Sequence, residues 1–265
     1  MSDLHELELM RARWRRALER EALDTIERND FAIGHLGRRL RTCSTQVILQ
    51  PADPEANVVD FDGELWQWLD ERGTVVVDGR PVRFGTQKYP TAHAAAIVNG
   101  YGAREPWNSY LAVHRSGAVE LGLGDRGGWD RRDRDDNEVR VFNLISTVTY
   151  VWAMLALVAG LSERVTLPGP WLLTVGARHT HDALLGNVGE GWAEPGQFEN
   201  HVGGCAEDNL LWHIELTPPL DDEAQRGVAL SVGDRFEDAW GVAQRRYLAH
   251  RGERAGQLDH RRIAE

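Results

Sequence analysis

The sequence predicts an α+β fold: an antiparallel sheet built from hairpins, with packed helices and an N-terminal helical arm. Three observations carry this. Two pairs of strand-like runs meet at turn dipeptides, Asp78-Gly79 and Ser116-Gly117. The uncharged stretch VFNLISTVTYVWAMLALVAGL, residues 141–161, has the length and composition of a buried helix. Hairpins and segregated helices, in place of a β-α alternation throughout, point to α+β and away from α/β.

Taken in order, residues 3–28 place Leu7, Met10, Trp14, Leu18, Ala22 and Ile26 three or four apart, the stripe of an amphipathic helix. Arg11, Arg13, Arg15, Arg16 and Arg20 lie off that stripe. So much apolar surface on one helix predicts a contact, and Leu7, Met10, Trp14, Leu18 and Ile26 are its candidate residues, toward a protein partner or a second copy. Residues 1–49 are assigned to this arm and 50–265 to the α+β domain. QPADPEANVVDFDG, residues 50–63, reads as a linker into a helix GELWQWLDERG capped by Asp62 and stopped by Gly73.

The first hairpin, residues 74–84, follows. YPTAHAAAIVNG, residues 89–100, predicts a short helix from Thr91 to Gly100. In the second hairpin, residues 108–124, alternation puts Tyr110, Ala112 and His114 on one face and Leu111 and Val113 on the other. DRGGWDRRDRDDNE, residues 125–138, mixes charge with glycine and predicts a mobile loop. Strands are expected at 171–177 and 209–216. A closing helix is expected over 231–252 on Phe236, Trp240, Ala243 and Tyr247.

Composition narrows function. A net charge of −11 repels a phosphate backbone, so nucleic-acid binding is disfavoured, and Glu19, Glu21 and Glu27 interrupt even the arm's basic face. Cys43 and Cys205, the only cysteines, are far apart, which excludes a cysteine-rich zinc module and suits a reducing cytoplasm. The charged N-terminus MSDLHELELMRARW does not read as a signal peptide. Polar Asn143, Ser146, Thr147 and Thr149 make 141–161 a core helix in preference to a membrane span. Lys88, the sole lysine, does not directly follow a glycine loop, so no Walker-type nucleotide site is expected.

Two motifs invite chemistry. Gly122, Gly124 and Gly127 match G-x-G-x-x-G after a strand, but no apolar helix follows to complete a dinucleotide site. His179 and His181 would share a strand face, the spacing that metal sites use, with Asp182 beside them and His201 and His213 further on. HTHDAL nevertheless lacks the flanking ligands of the H-x-H-x-D-H and cupin patterns. A polar loop is therefore expected over a metal-dependent hydrolase, and no cofactor is expected. Cys205 could pair with His179 or His213, but Glu207 and Asp208 would oppose a thiolate there.

The succession SYLAVHRSGAVELGLG, VFNLISTVTYVWAMLALVAGL and GPWLLTVGARHTHDALLGNVGEGW resembles the C-terminal region of bacterial Schlafen-like (AlbA-type) ATP-binding regulators. There a Y-hydrophobic-x-hydrophobic-H-x-x-G-x-V line precedes a buried helix and a strand. The resemblance is one of layout and covers about residues 105–215. The family's named activity belongs to its N-terminal AlbA-like domain, which has no match in this sequence, so no functional residue carries over. The resemblance implies a non-catalytic sensor or interaction module in a bacterial regulatory or phage-defence system.

Overall fold

The computed structural model describes residues 44–51, 57–99, 109–124, 128–132, 138–167, 169–186, 204–217 and 219–242, with the single positions 16, 20 and 258. The arm residues Leu7, Met10, Trp14, Leu18 and Ile26, and also His201, lie outside this set.

Strand β1 (Ser44–Gln50) opens the domain, and helix α1 (Gly63–Arg72) follows. The chain then forms β2 (Thr74–Val77), β3 (Arg80–Arg83), β4 (Gln87–Pro90) and β5 (Ala94–Asn99). After β6 (Ser109–His114) and β7 (Val119–Leu123) come β8 (Gly128–Arg132) and β9 (Glu138–Asn143). Helix α2 (Leu144–Arg164) leads to β10 (Trp171–Arg178), β11 (Leu184–Gly186), β12 (Asn209–Leu216) and helix α3 (Asp222–Ala239). Helices and an antiparallel sheet thus make up an α+β fold.

The main sheet has seven strands in the order β12-β10-β1-β7-β6-β5-β4, each neighbouring pair antiparallel. Both hairpins form where the turn chemistry places them. Asp78 and Gly79 sit at φ 51° and 77°, the left-handed pair a two-residue turn requires. At the second turn Gly117 has φ 84° and donates to the His114 carbonyl at 3.0 Å.

The apolar alternation builds one face of the sheet. Val47, Leu49, Leu111, Val113, Val119, Leu121, Leu173 and Val175 share a core with helix α2. That helix is capped by Asn143, whose side chain accepts from Ser146 N at 3.2 Å, and it is buried along most of its length. It packs on β7, on the β2–β3 hairpin and on α3. At the far end, Phe142 stacks on Trp240 with centroids 5.1 Å apart. Trp240 Nε1 donates to the Ala183 carbonyl at 2.7 Å, fixing the end of α3 to the chain after β10.

Three expectations need correction. Residues 94–99 are a strand, not part of a helix: AAAIV fills a sheet position whose two faces are both buried, so alanine's helix propensity is overridden by pairing on β4 and β6. Within the expected loop 125–138, Gly128–Arg132 pairs with β9 in a three-stranded sheet that β11 completes in parallel. The last helix starts nine residues earlier than expected, at Asp222 after an Asp221 N-cap, and ends at Ala239. Strand β1 lies third in the seven-stranded sheet.

Candidate functional site

The strand carrying toward His179 stops at Arg178. His179 and Asp182 adopt φ of 57° and 56°, left-handed conformations that a strand does not contain, so His179 and His181 do not continue one face. The segment is instead stitched to residues 204–208. Thr180 N donates to the Asp208 carbonyl at 3.1 Å and its buried hydroxyl to the Glu207 carbonyl at 2.6 Å. Asp182 N donates to the Cys205 carbonyl at 3.0 Å, and His181 Nδ1 lies 3.2 Å from the Ala206 carbonyl. Arg140 donates to the His179 carbonyl at 3.0 Å.

His181 Nε2 meets Asp182 Oδ2 at 3.2 Å, but both side chains are exposed, and such a surface pair contributes little. His213 takes no part. It faces Thr174 in register, and five residues of extended chain separate Thr174 from His179, roughly 16 Å. Among the described residues no group of three or more His, Cys, Asp or Glu side chains could share a metal ion. Cys205 is buried in the core at the base of this turn.

His213 points to a different constellation. It belongs to the sheet face opposite α2, where its Nδ1 lies 3.0 Å from the Thr174 hydroxyl. Ladder register continues the row across the sheet: His213 opposite Thr174, Thr174 opposite Ile48, Ile48 opposite Glu120, Glu120 opposite Ala112. Gln46 and Gln50 flank Ile48 on the same face by the two-residue period of the strand. Gln46, Gln50, Glu120 and Thr174 are all buried. A second, smaller apolar cluster shares this face, and each of its described members belongs to the sheet itself.

At the centre of this polar face is an acid–imidazole pair. Glu120 Oε1 lies 3.0 Å from His114 Nε2, with the glutamate side chain only 7% exposed. The second oxygen, Glu120 Oε2, and the nearby Gln50 Oε1 are buried without a hydrogen-bond partner. A buried carboxyl oxygen without a hydrogen-bond partner is costly, so its retention asks for an explanation. The Tyr110 phenol is pushed well above its ordinary range, first by burial and then by the charge of Glu120. It therefore keeps its proton. Its ring lies over Gly122, where any Cβ would sit 2.2 Å from Tyr110 Cε1. That contact accounts for the first glycine of the G-x-G-x-x-G match without a phosphate; Gly127 is outside the described residues.

Sequence reasoning missed Glu120. Its signal was a lone carboxylate inside AVELGLG, a run otherwise apolar enough to be a central strand, where both faces are buried. No family model matches the chain, and no curated protein or solved structure matches it.

Proposed function

We propose that this chain is a non-catalytic sensor or partner-binding module acting in the cytoplasm, with its polar sheet face as the ligand-recognition surface. The observation that carries the reading is the pair of unpaired acceptors, Glu120 Oε2 and Gln50 Oε1, beside the His114–Glu120 contact. A ligand bearing hydrogen-bond donors that reached these buried acceptors would satisfy them and offset their desolvation cost. The layout resemblance to bacterial regulators adds the context of regulation or phage defence, and the arm supplies the means of self-association or docking. The burial of α2 in the core is in keeping with a chain that does not sit in a membrane.

Native mass spectrometry of the purified chain tests the reading. A co-purifying small molecule is expected, lost in Glu120→Gln and Gln50→Leu variants whose circular dichroism is unchanged. An adduct-free wild type that shows metal-dependent hydrolysis, abolished by His181→Ala, would replace this proposal with an enzyme.

A further inference from the structure

The polar sheet face has a low point beside its acid–imidazole pair. Strands β1 and β7 pair as far as Leu49 opposite Val119, and one step further stand Gln50 and Ala118. Across the next ladder Ala118 meets His114, whose N donates to the Ala118 carbonyl at 2.8 Å. The row therefore reads Gln50, Ala118, His114, on three strands that span about 10 Å. Glu120 follows Ala118 by two residues on the same face of β7, about 7 Å away. The single methyl of Ala118 is thus bordered by three longer, polar side chains.

Two of those three hold acceptors without a hydrogen-bond partner, Gln50 Oε1 and Glu120 Oε2. Both residues are more than nine-tenths buried, Gln50 at 5% and Glu120 at 6% exposure. The row is nevertheless not sealed. The His114 side chain keeps 16% of its surface and Ala118 keeps 9%, at the end of the sheet next to the Ser116-Gly117 turn. A small head group has an approach there; a bulky one does not.

Charge narrows the class. Besides its histidines, the described strand residues of this face carry Glu120, Glu215 and Arg178. Arg178 stands six positions along β10 from Leu172, the partner of Gln50, about 20 Å off. Arg115, next to His114 in the chain, is turned away onto the Phe61 ring, 4.1 Å from its centroid. An anion would meet Glu120 with no arginine or lysine beside it. A neutral donor would satisfy the acceptors and leave the carboxylate charge uncompensated. A metal ion would want three or more ligating side chains, and no such group occurs among the described residues. A primary ammonium brings one positive charge and three N–H donors in a compact head, and hydrogen bonds between ions are the stronger kind.

We infer that the position over Ala118 receives the primary ammonium group of a small free amine, donating to Glu120 Oε2 and Gln50 Oε1. This rests on the reading of the polar face as the recognition surface and supplies the chemical class of its ligand.

The test is isothermal titration calorimetry of the full chain with three probes of similar size. These are n-butylammonium, tetramethylammonium, which has the charge without donors, and n-butanol, which has a donor without the charge. The expected result is one n-butylammonium bound per chain, with both other probes weaker on the order of tenfold or more. Glu120→Gln should weaken n-butylammonium by a similar factor with unchanged circular dichroism. Should that variant fail to fold, Gln50→Leu and Ala118→Leu ask the same question, the first by removing an acceptor and the second by filling the row. Equal binding of tetramethylammonium, or n-butylammonium binding that survives Glu120→Gln and Ala118→Leu, places the cation elsewhere on an acidic surface and overturns the inference. A neutral or anionic molecule that co-purifies with the wild type and is lost in Glu120→Gln overturns the amine while the polar face stands as a recognition surface. Failure of n-butylammonium to bind at millimolar concentration, with an adduct-free wild type, overturns both.

Discussion

At the scale of single residues, the polar sheet face sets stability against recognition. Glu120 Oε1 lies 3.0 Å from His114 Nε2 while Oε2 has no hydrogen-bond partner, and an unsatisfied buried polar group costs about 1–3 kcal/mol. Tyr110 reports on the same pocket through pH. Its folded pKa is raised by burial and by Glu120, so the native state holds the phenolic proton longer than the unfolded chain does. The resulting stability is whole below the unfolded value of 10.0 and is lost as pH climbs from there through the folded value. Urea unfolding from pH 9 to 11 is expected to show falling stability in the wild type above about pH 10. Tyr110→Phe should have a flatter slope over the same range, whatever its starting stability. Equal slopes in the two proteins would mean that Tyr110 is not the group responsible.

At the scale of elements, α2 offers the plainest energetic test. Leu155 has no exposed surface and lies among core side chains of the sheet and helices. Leu155→Ala should therefore cost about 2–5 kcal/mol, measured by denaturant unfolding. The turn after β10 supports a second expectation: purified protein should contain less than one zinc, manganese or iron per chain by elemental analysis. One metal per chain that disappears in His181→Ala would show that the turn rearranges to bind. Elements marked by local chemistry were legible in the sequence. Asp78-Gly79 requires a left-handed pair, Asp62 caps α1 by accepting from Leu65 N at 2.8 Å, and NLLWHIEL bounds β12 as read. AAAIV was not legible, because its strand state comes from neighbours far away in sequence. Nor was the polar face: His114, Gln50, Glu120 and His213 sit on four strands, and only the sheet order brings them onto one surface. The His-x-His spacing would put both imidazoles on one face only of a continuing strand, and a left-handed His179 ends that strand.

At the scale of the whole molecule, the question is whether the long apolar helix belongs to a bilayer or to this core. It is the one described helix long and apolar enough to cross a membrane, and most of its apolar window is buried inside the protein. Moving α2 into lipid would break the Tyr150 hydroxyl's bond to the Arg83 carbonyl, 3.0 Å long. It would also strip Val47, Leu49, Val113, Leu121 and Leu173 of the cover they share with it. Each of those side chains gains about 1.5–3 kcal/mol from burial, so the sheet would lose more than a lipid-exposed helix could return. The chain should therefore remain in the supernatant after ultracentrifugation of a detergent-free lysate. Leu155→Ala, by loosening the same interface, should lower the soluble yield without driving the protein into the membrane pellet. Recovery of the wild type only after detergent extraction would mean that α2 leaves the sheet, and with it that the seven-stranded core described here is not the state the cell maintains.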